Sequence, residues 1–162
     1  MEIKGAYKIA APRQTVWAAL NDPSILKKCL PGCEKLEKDG DNAFTATIKA
    51  KVGPVSAKFS GAVTLQDLDP PNSYRIVGEG KGGVAGFAKG GAKVTLTDDG
   101  GATVLTYDAE AKVGGKLAQI GSRLVLGTAR KLADEFFKKF SETVAPGTAA
   151  EKVAVAATGQ PS

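Results

Sequence analysis

The chain has 162 residues, 43% of them hydrophobic and 24% charged, which corresponds to one domain of ordinary size with enough apolar material for a real core. Lys+Arg of 22 against Asp+Glu of 17 gives a formal net charge of +5, which favours an acidic surface such as anionic lipid or an acidic partner without requiring one. Histidine is absent, which removes the usual general base and the commonest metal ligand, and no Lys/Arg cluster with interleaved aromatics marks a nucleic-acid binder.

The opening "MEIKGAYKIA" carries charges early and has no apolar run, so it does not read as a secretory signal. No stretch approaches the ~20 apolar residues that span a bilayer. The expectation is a soluble, cytoplasmic protein with a peripheral membrane role left open. Residues 2–10 alternate and predict a first strand. "APRQTVWAALNDP" predicts a helix, with Pro12 where a missing N–H costs nothing, a stripe of Val16, Trp17 and Leu20, and a stop at Asn21-Asp22-Pro23. A second short helix follows, up to Cys29. Cys29 and Cys33 in "CLPGC" lack further ligands for zinc and read as two small residues around a Pro-Gly turn.

The period then changes to two. Phe44, Ala46, Ile48, Ala50 and Val52 share one face, and Val55, Ala57, Phe59, Gly61, Val63 and Leu65 share the same face after the Gly53-Pro54 reversal, which predicts a hairpin. "SYRIVGEGK", "AKVTLT" and "ATVLTYDAEAKV" continue the sheet, the last placing Leu105 and Tyr107 inward. Residues 113–140 read as the longest helix, thin and glycine-interrupted at its start (Gly121, Gly127) and bulky at its end (Phe136, Phe137, Phe140). One strand, two short helices, about six antiparallel strands and a long helix predict an α+β architecture, a curved sheet covered by the C-terminal helix. The domain is expected over residues 1–143, followed by a disordered Ala/Thr/Gly/Pro-rich tail over 144–162.

Inward positions include many small residues, among them Ala46, Ala50, Ala57, Gly61, Gly78, Gly80, Ala109 and Ala111, facing Ala118, Gly121 and Gly127 of the helix. Small residues on both surfaces mean either close helix–sheet approach or a cavity; strong curvature favours the cavity. "GEGKGG" matches a dinucleotide fingerprint, but a strand rather than a helix follows it, so no nucleotide site is expected. The glycine-rich run 78–94 reads as a bulged connection or as a flexible lip with Phe87 as an apolar plug. Tyr107, Glu79 and Arg123 are the titratable groups expected near the interior. Lys49 is predicted directly opposite Lys58, with Lys51 beside them, on the outer face: a solvated edge or a basic patch for anionic lipid or a partner.

The ordered segments "YKIAAPRQTVWAALNDP", "CLPGCEKL", "KVGPVSAKFSG", "GEGKGGVAGFAKGGAKV" and "KVGGKLAQIGSRLVLGTARKLADEFFKKF" resemble the G-subunit family of carbon monoxide dehydrogenase (CoxG), of the START-like (SRPBCC) helix-grip superfamily. The resemblance covers residues 1 to about 143. It implies a hydrophobic cavity between sheet and helix, and a non-catalytic accessory of a molybdenum carbon monoxide dehydrogenase or related molybdenum hydroxylase. Such an accessory recruits the enzyme to the inner face of the cytoplasmic membrane and handles its quinone, menaquinone or ubiquinone. The expected lining is Phe59, Ile76, Phe87, Leu105, Tyr107, Ile120, Gly121 and Leu124. The alternative is an adaptor that recruits or assembles the dehydrogenase without carrying ligand. No metal and no covalent cofactor are expected.

Overall fold

Two-residue alternation from residue 43 onward becomes one continuous antiparallel meander. The computed structural model describes residues 1–147 and 151–153. Its elements are β1 (Glu2–Ile9), α1 (Arg13–Leu20), α2 (Pro23–Cys29), β2 (Cys33–Lys38), β3 (Ala43–Val52), β4 (Val55–Asp69), β5 (Ser73–Lys81), β6 (Phe87–Asp99), β7 (Ala102–Gly114), α3 (Lys116–Gln119), α4 (Ser122–Val144) and a two-residue β8 (Glu151–Lys152). Strands β2 to β7 pair in sequence order. β1 then joins β7, and β8 adds to the far side of β1. β8 falls in the region read as a tail; residues 148–150 and 154–162 of that region lie outside the described residues.

Local chemistry explains most boundaries. Pro12 stands just before α1, and Asp22 caps α2 by accepting the Ser24 N–H at 2.9 Å. Gly53, at φ +58°, turns the β3–β4 hairpin in the expected register, with Lys49 opposite Lys58. Cys33–Lys38, to which the periodicity assigns no element, forms the edge strand beside β3.

The core gathers where α1 and the end of α4 meet the sheet. Ile9, Val16, Leu20, Leu65, Tyr74, Leu96, Leu105 and Phe140 are buried there. Trp17 meets Tyr74 edge-on with ring centroids 5.3 Å apart, and Phe136 and Phe140 stack at 5.7 Å. The bulky end of the long helix is solid core, as its sequence predicts.

The other end of that helix departs from expectation. Residues 113–114 belong to β7, and the helical stretch breaks at Gly121, whose φ of +96° and ψ of 149° only glycine adopts readily. Gly121 is thus the hinge between α3 and α4, not a mid-helix position. The apolar spacing of Leu117, Ile120 and Leu124 suits a continuous helix equally well, so periodicity did not reveal the break.

Candidate functional site

Helix α4 makes its main backbone approaches to α2, α1 and the flanking strands β1 and β3. The middle of the sheet opposite it carries the small inward residues. Their burial is incomplete: Ala57, Phe59, Ile76, Gly78, Gly80, Ala109 and Ala111 all keep partial solvent contact. At Gly80 an added Cβ would meet only Phe59 Cβ, at 4.0 Å. The inner face is therefore underfilled near that position. Elsewhere glycine serves close approach instead, as at Gly61, where a Cβ would lie 2.8 Å from the Glu79 carbonyl oxygen.

Three segments converge at the end of the grip away from the solid core. The Gly53 hairpin tip reaches Leu124 and Ile120; a Cβ at Gly53 would lie 3.3 and 3.8 Å from their Cδ1 atoms. A 3-10 turn, Gly83–Ala85, connects β5 to β6 and sits against α3, with Gly86 packed on Gly114 and Gly115. The Phe59 ring covers the base of this turn, 2.6 Å from where a Gly82 Cβ would stand. Leu124 is 47% exposed. Phe59, Ile120, Gly121 and Leu124 thus lie together at this mouth. Ile76 lies inward nearer the middle, and Leu105 is fully buried in the core beneath.

Phe87 is a correction. It opens β6 opposite Lys81 and Gly114, and strand alternation puts Ala88 inward and Phe87 outward, its ring lying over Gly114. The connection expected as a flexible lip is confined to Gly82–Gly86 and is a hydrogen-bonded turn, because backbone pairing claims everything from residue 87 onward. Glu79 also faces outward, near Lys81, and Arg123 is exposed. Lys49, Lys51 and Lys58 stand on the outer face as expected, with Lys58 paired to Glu34 at 3.1 Å.

Tyr107 does point inward and belongs to a polar cluster that the sequence did not suggest. Its ring lies over Gly5, where a Cβ would come within 2.5 Å of Cε2. Tyr7, from β1, donates its hydroxyl to Asp134 of α4 at 2.5 Å, and its ring lies parallel to that of Tyr107 with centroids 6.4 Å apart. Phe137 stacks on Tyr7 at 4.4 Å. Burial raises the pKa values of Tyr7 and Tyr107, and the Tyr7 hydroxyl holds Asp134 below the usual carboxylate value. Lys152 of β8 reaches the other Asp134 oxygen at 3.2 Å. At neutral pH the cluster holds two neutral phenols and one carboxylate, with Asp134 and Lys152 reaching solvent. Residues 7 and 134 are 127 positions apart, so no local pattern could join them.

Open hollows also occur outside the grip. Two lie on the outer sheet face, of about 980 Å³ around Arg75, Val77 and Lys89 and about 440 Å³ around Thr47 and Ser60. A third, of about 550 Å³, lies among α1, α2 and the end of α4. None of the three is lined by the residues expected from sequence. Among the described residues, no helix is long and apolar enough to cross a membrane, and no group of three or more His, Cys, Asp and Glu is placed to hold a metal.

Comparison with known proteins agrees with this geometry. The chain is similar to a conserved protein from Geobacillus kaustophilus, at 34% identity over 93% of this chain and 99% of that one, with a TM-score of 0.85. A protein from Thermus thermophilus (17% identity, 89% and 97% coverage, TM-score 0.69) shares the fold. So does the Zhui aromatase/cyclase from Streptomyces sp. R1128 (16% identity, 89% and 93% coverage, TM-score 0.60). No curated protein matches the chain. The profile of the carbon monoxide dehydrogenase G subunit (CoxG) matches residues 5–145, and the chain belongs to that family, with the helix-grip fold.

Proposed function

We propose that this protein is a non-catalytic accessory of a molybdenum carbon monoxide dehydrogenase, or of a related molybdenum hydroxylase, that binds a lipophilic ligand between sheet and helix. The ligand class that fits is a respiratory quinone, menaquinone or ubiquinone, carried between the membrane pool and the dehydrogenase. The observation that carries this reading is the underfilled inner face around Gly80, on the same face of the sheet as Tyr107, with the half-exposed Leu124 at its mouth end. An isoprenoid tail gains ~25 cal/mol per Å² of apolar area removed from water. The Tyr107 hydroxyl can donate to a quinone carbonyl, whereas that of Tyr7 already donates to Asp134. Family membership supports the dehydrogenase as partner. Phenols with raised pKa values are poor bases at neutral pH, which supports carriage over catalysis.

The test is native mass spectrometry after incubation with quinone-loaded vesicles, comparing the wild type with Gly80→Leu. The wild type should leave the vesicles carrying one quinone. Gly80→Leu should fold and carry little, because its side chain occupies the open space. A wild type that stays ligand-free would refute carriage and leave recruitment of the dehydrogenase as the role.

A further inference from the structure

Charge is sorted along the long axis of the sheet. At the core end, the β2–β3, β4–β5 and β6–β7 turns hold Asp39, Asp41, Asp67, Asp69, Asp98 and Asp99 at or beside them, of which Asp98 and Asp99 are paired with Arg13 and Lys8. At the mouth end, residues 49–66, 80–97 and 111–133 contain no Asp or Glu at all. Lys51, Lys81, Lys116 and Arg123 ring the mouth, all of them exposed. Glu79 and Glu110 lie back from this rim on the outer face, and the 3.9 Å Lys81–Glu79 contact joins two exposed groups and is weak.

Within the cationic ring stands an apolar tip. Val84 is 85% exposed, at the crest of the 3-10 turn, and at the same end of the sheet Phe87 is 38% and Leu124 47% exposed. The turn is held firmly. The Gly82 N–H donates to the Gly86 carbonyl at 2.8 Å, the Ala85 N–H to the Gly82 carbonyl at 3.1 Å, and Ala85 is buried. Val84 is therefore presented to the outside on a fixed support. An exposed apolar tip at an end that carries cations and no carboxylate at its rim, with the carboxylate-bearing turns at the other end, matches one partner chemistry: an anionic lipid bilayer met end-on.

We infer that the mouth end is a membrane-docking face, with Val84 entering the interfacial region and Lys51, Lys81, Lys116 and Arg123 lying over anionic headgroups. The acidic turns then point away from the surface, and the opening near Leu124 faces the lipid. The inference extends the ligand reading, because the entrance lies at the same end, but its test uses no ligand, so either can fail alone.

The experiment is co-sedimentation of the full chain with phosphatidylcholine vesicles, with and without phosphatidylglycerol, at low and high salt. The wild type should bind only the anionic vesicles and release as salt rises. Each cation contributes about fivefold to partitioning, so Lys81→Gln with Lys116→Gln should weaken binding about 25-fold. Val84→Asp, at a site with almost no neighbours to disturb, should weaken it about tenfold or more. Lys38→Gln, at the acidic end, should leave it unchanged. The inference is overturned if the wild type ignores anionic vesicles, whether or not this face captures an acidic protein instead. It is equally overturned if Lys38→Gln costs as much as the rim substitutions.

Discussion

Truncating Phe140 tests the polarity of helix α4 most directly. Its side chain is fully buried, packed with the rings of Phe136 at 5.7 Å and Phe137 at 6.3 Å, in the cluster that holds Leu105 and Val16. Phe140→Ala removes a whole ring where three elements meet, so the site cannot collapse fully. The cost should be about 4 kcal/mol, within the ~3–5 typical of a buried phenylalanine. For a domain of this size that lowers the Tm by roughly 8 to 16 °C. Gly127 provides the contrast within the same helix. Nothing lies within 4 Å of a Cβ built there, and its φ is not positive, so Gly127→Ala should gain about 1 kcal/mol of helix propensity and melt a few degrees higher. Circular dichroism melts of the three proteins are sufficient. A Phe140→Ala protein melting within about 2 °C of wild type, or a Gly127→Ala protein falling as far as Phe140→Ala, would refute a helix solid at one end and open at the other.

Gly121→Leu should lose ~1–3 kcal/mol although the space around it is open, because φ +96° with ψ 149° strains any side-chain-bearing residue; chemical denaturation measures it, and a neutral result would mean the hinge relaxes. Gly5→Ala should cost ~1–3 kcal/mol by forcing the Tyr107 ring aside, and should shift the Tyr107 resonances by NMR while leaving those of Tyr74 in place. All three tyrosines have pKa values raised by burial above the model-compound value of 10.0, so above about pH 10 the unfolded chain releases phenolic protons that the folded one keeps. Stability should therefore fall as pH rises past 10, and phenolate absorbance should appear together with unfolding; ordinary titration of any of the three in the folded protein would contradict the burial described. At the acid end the depressed pKa of Asp134 contributes stability above its unfolded value of 3.8, and this should be lost as pH falls through the folded value. Asp134→Asn should flatten that part of an acid-denaturation curve.

Alternation and punctuation by themselves determined the meander, the Gly53-Pro54 hairpin with Lys49 opposite Lys58, the two early helices and the solid Phe136–Phe140 end. Each of these follows from side chains within a few residues of one another, whose spacing states directly which face they share. Tertiary pairing decided the rest. Phe87 faces outward because β6 pairs Phe87 with Gly114, and a run of small residues carries no alternation of its own from which that face could be read. Gly121 is a hinge because α3 packs on β7 and the β5–β6 turn while α4 packs on α2, α1, β1 and β3, although the apolar spacing across it fits an unbroken helix. Tyr7 meets Asp134 only because β1 closes the sheet against β7 and brings the first strand beneath the last long helix. Sequence periodicity reports local side-chain direction; a polar contact between residues 127 positions apart exists only once the sheet has curved around the helix.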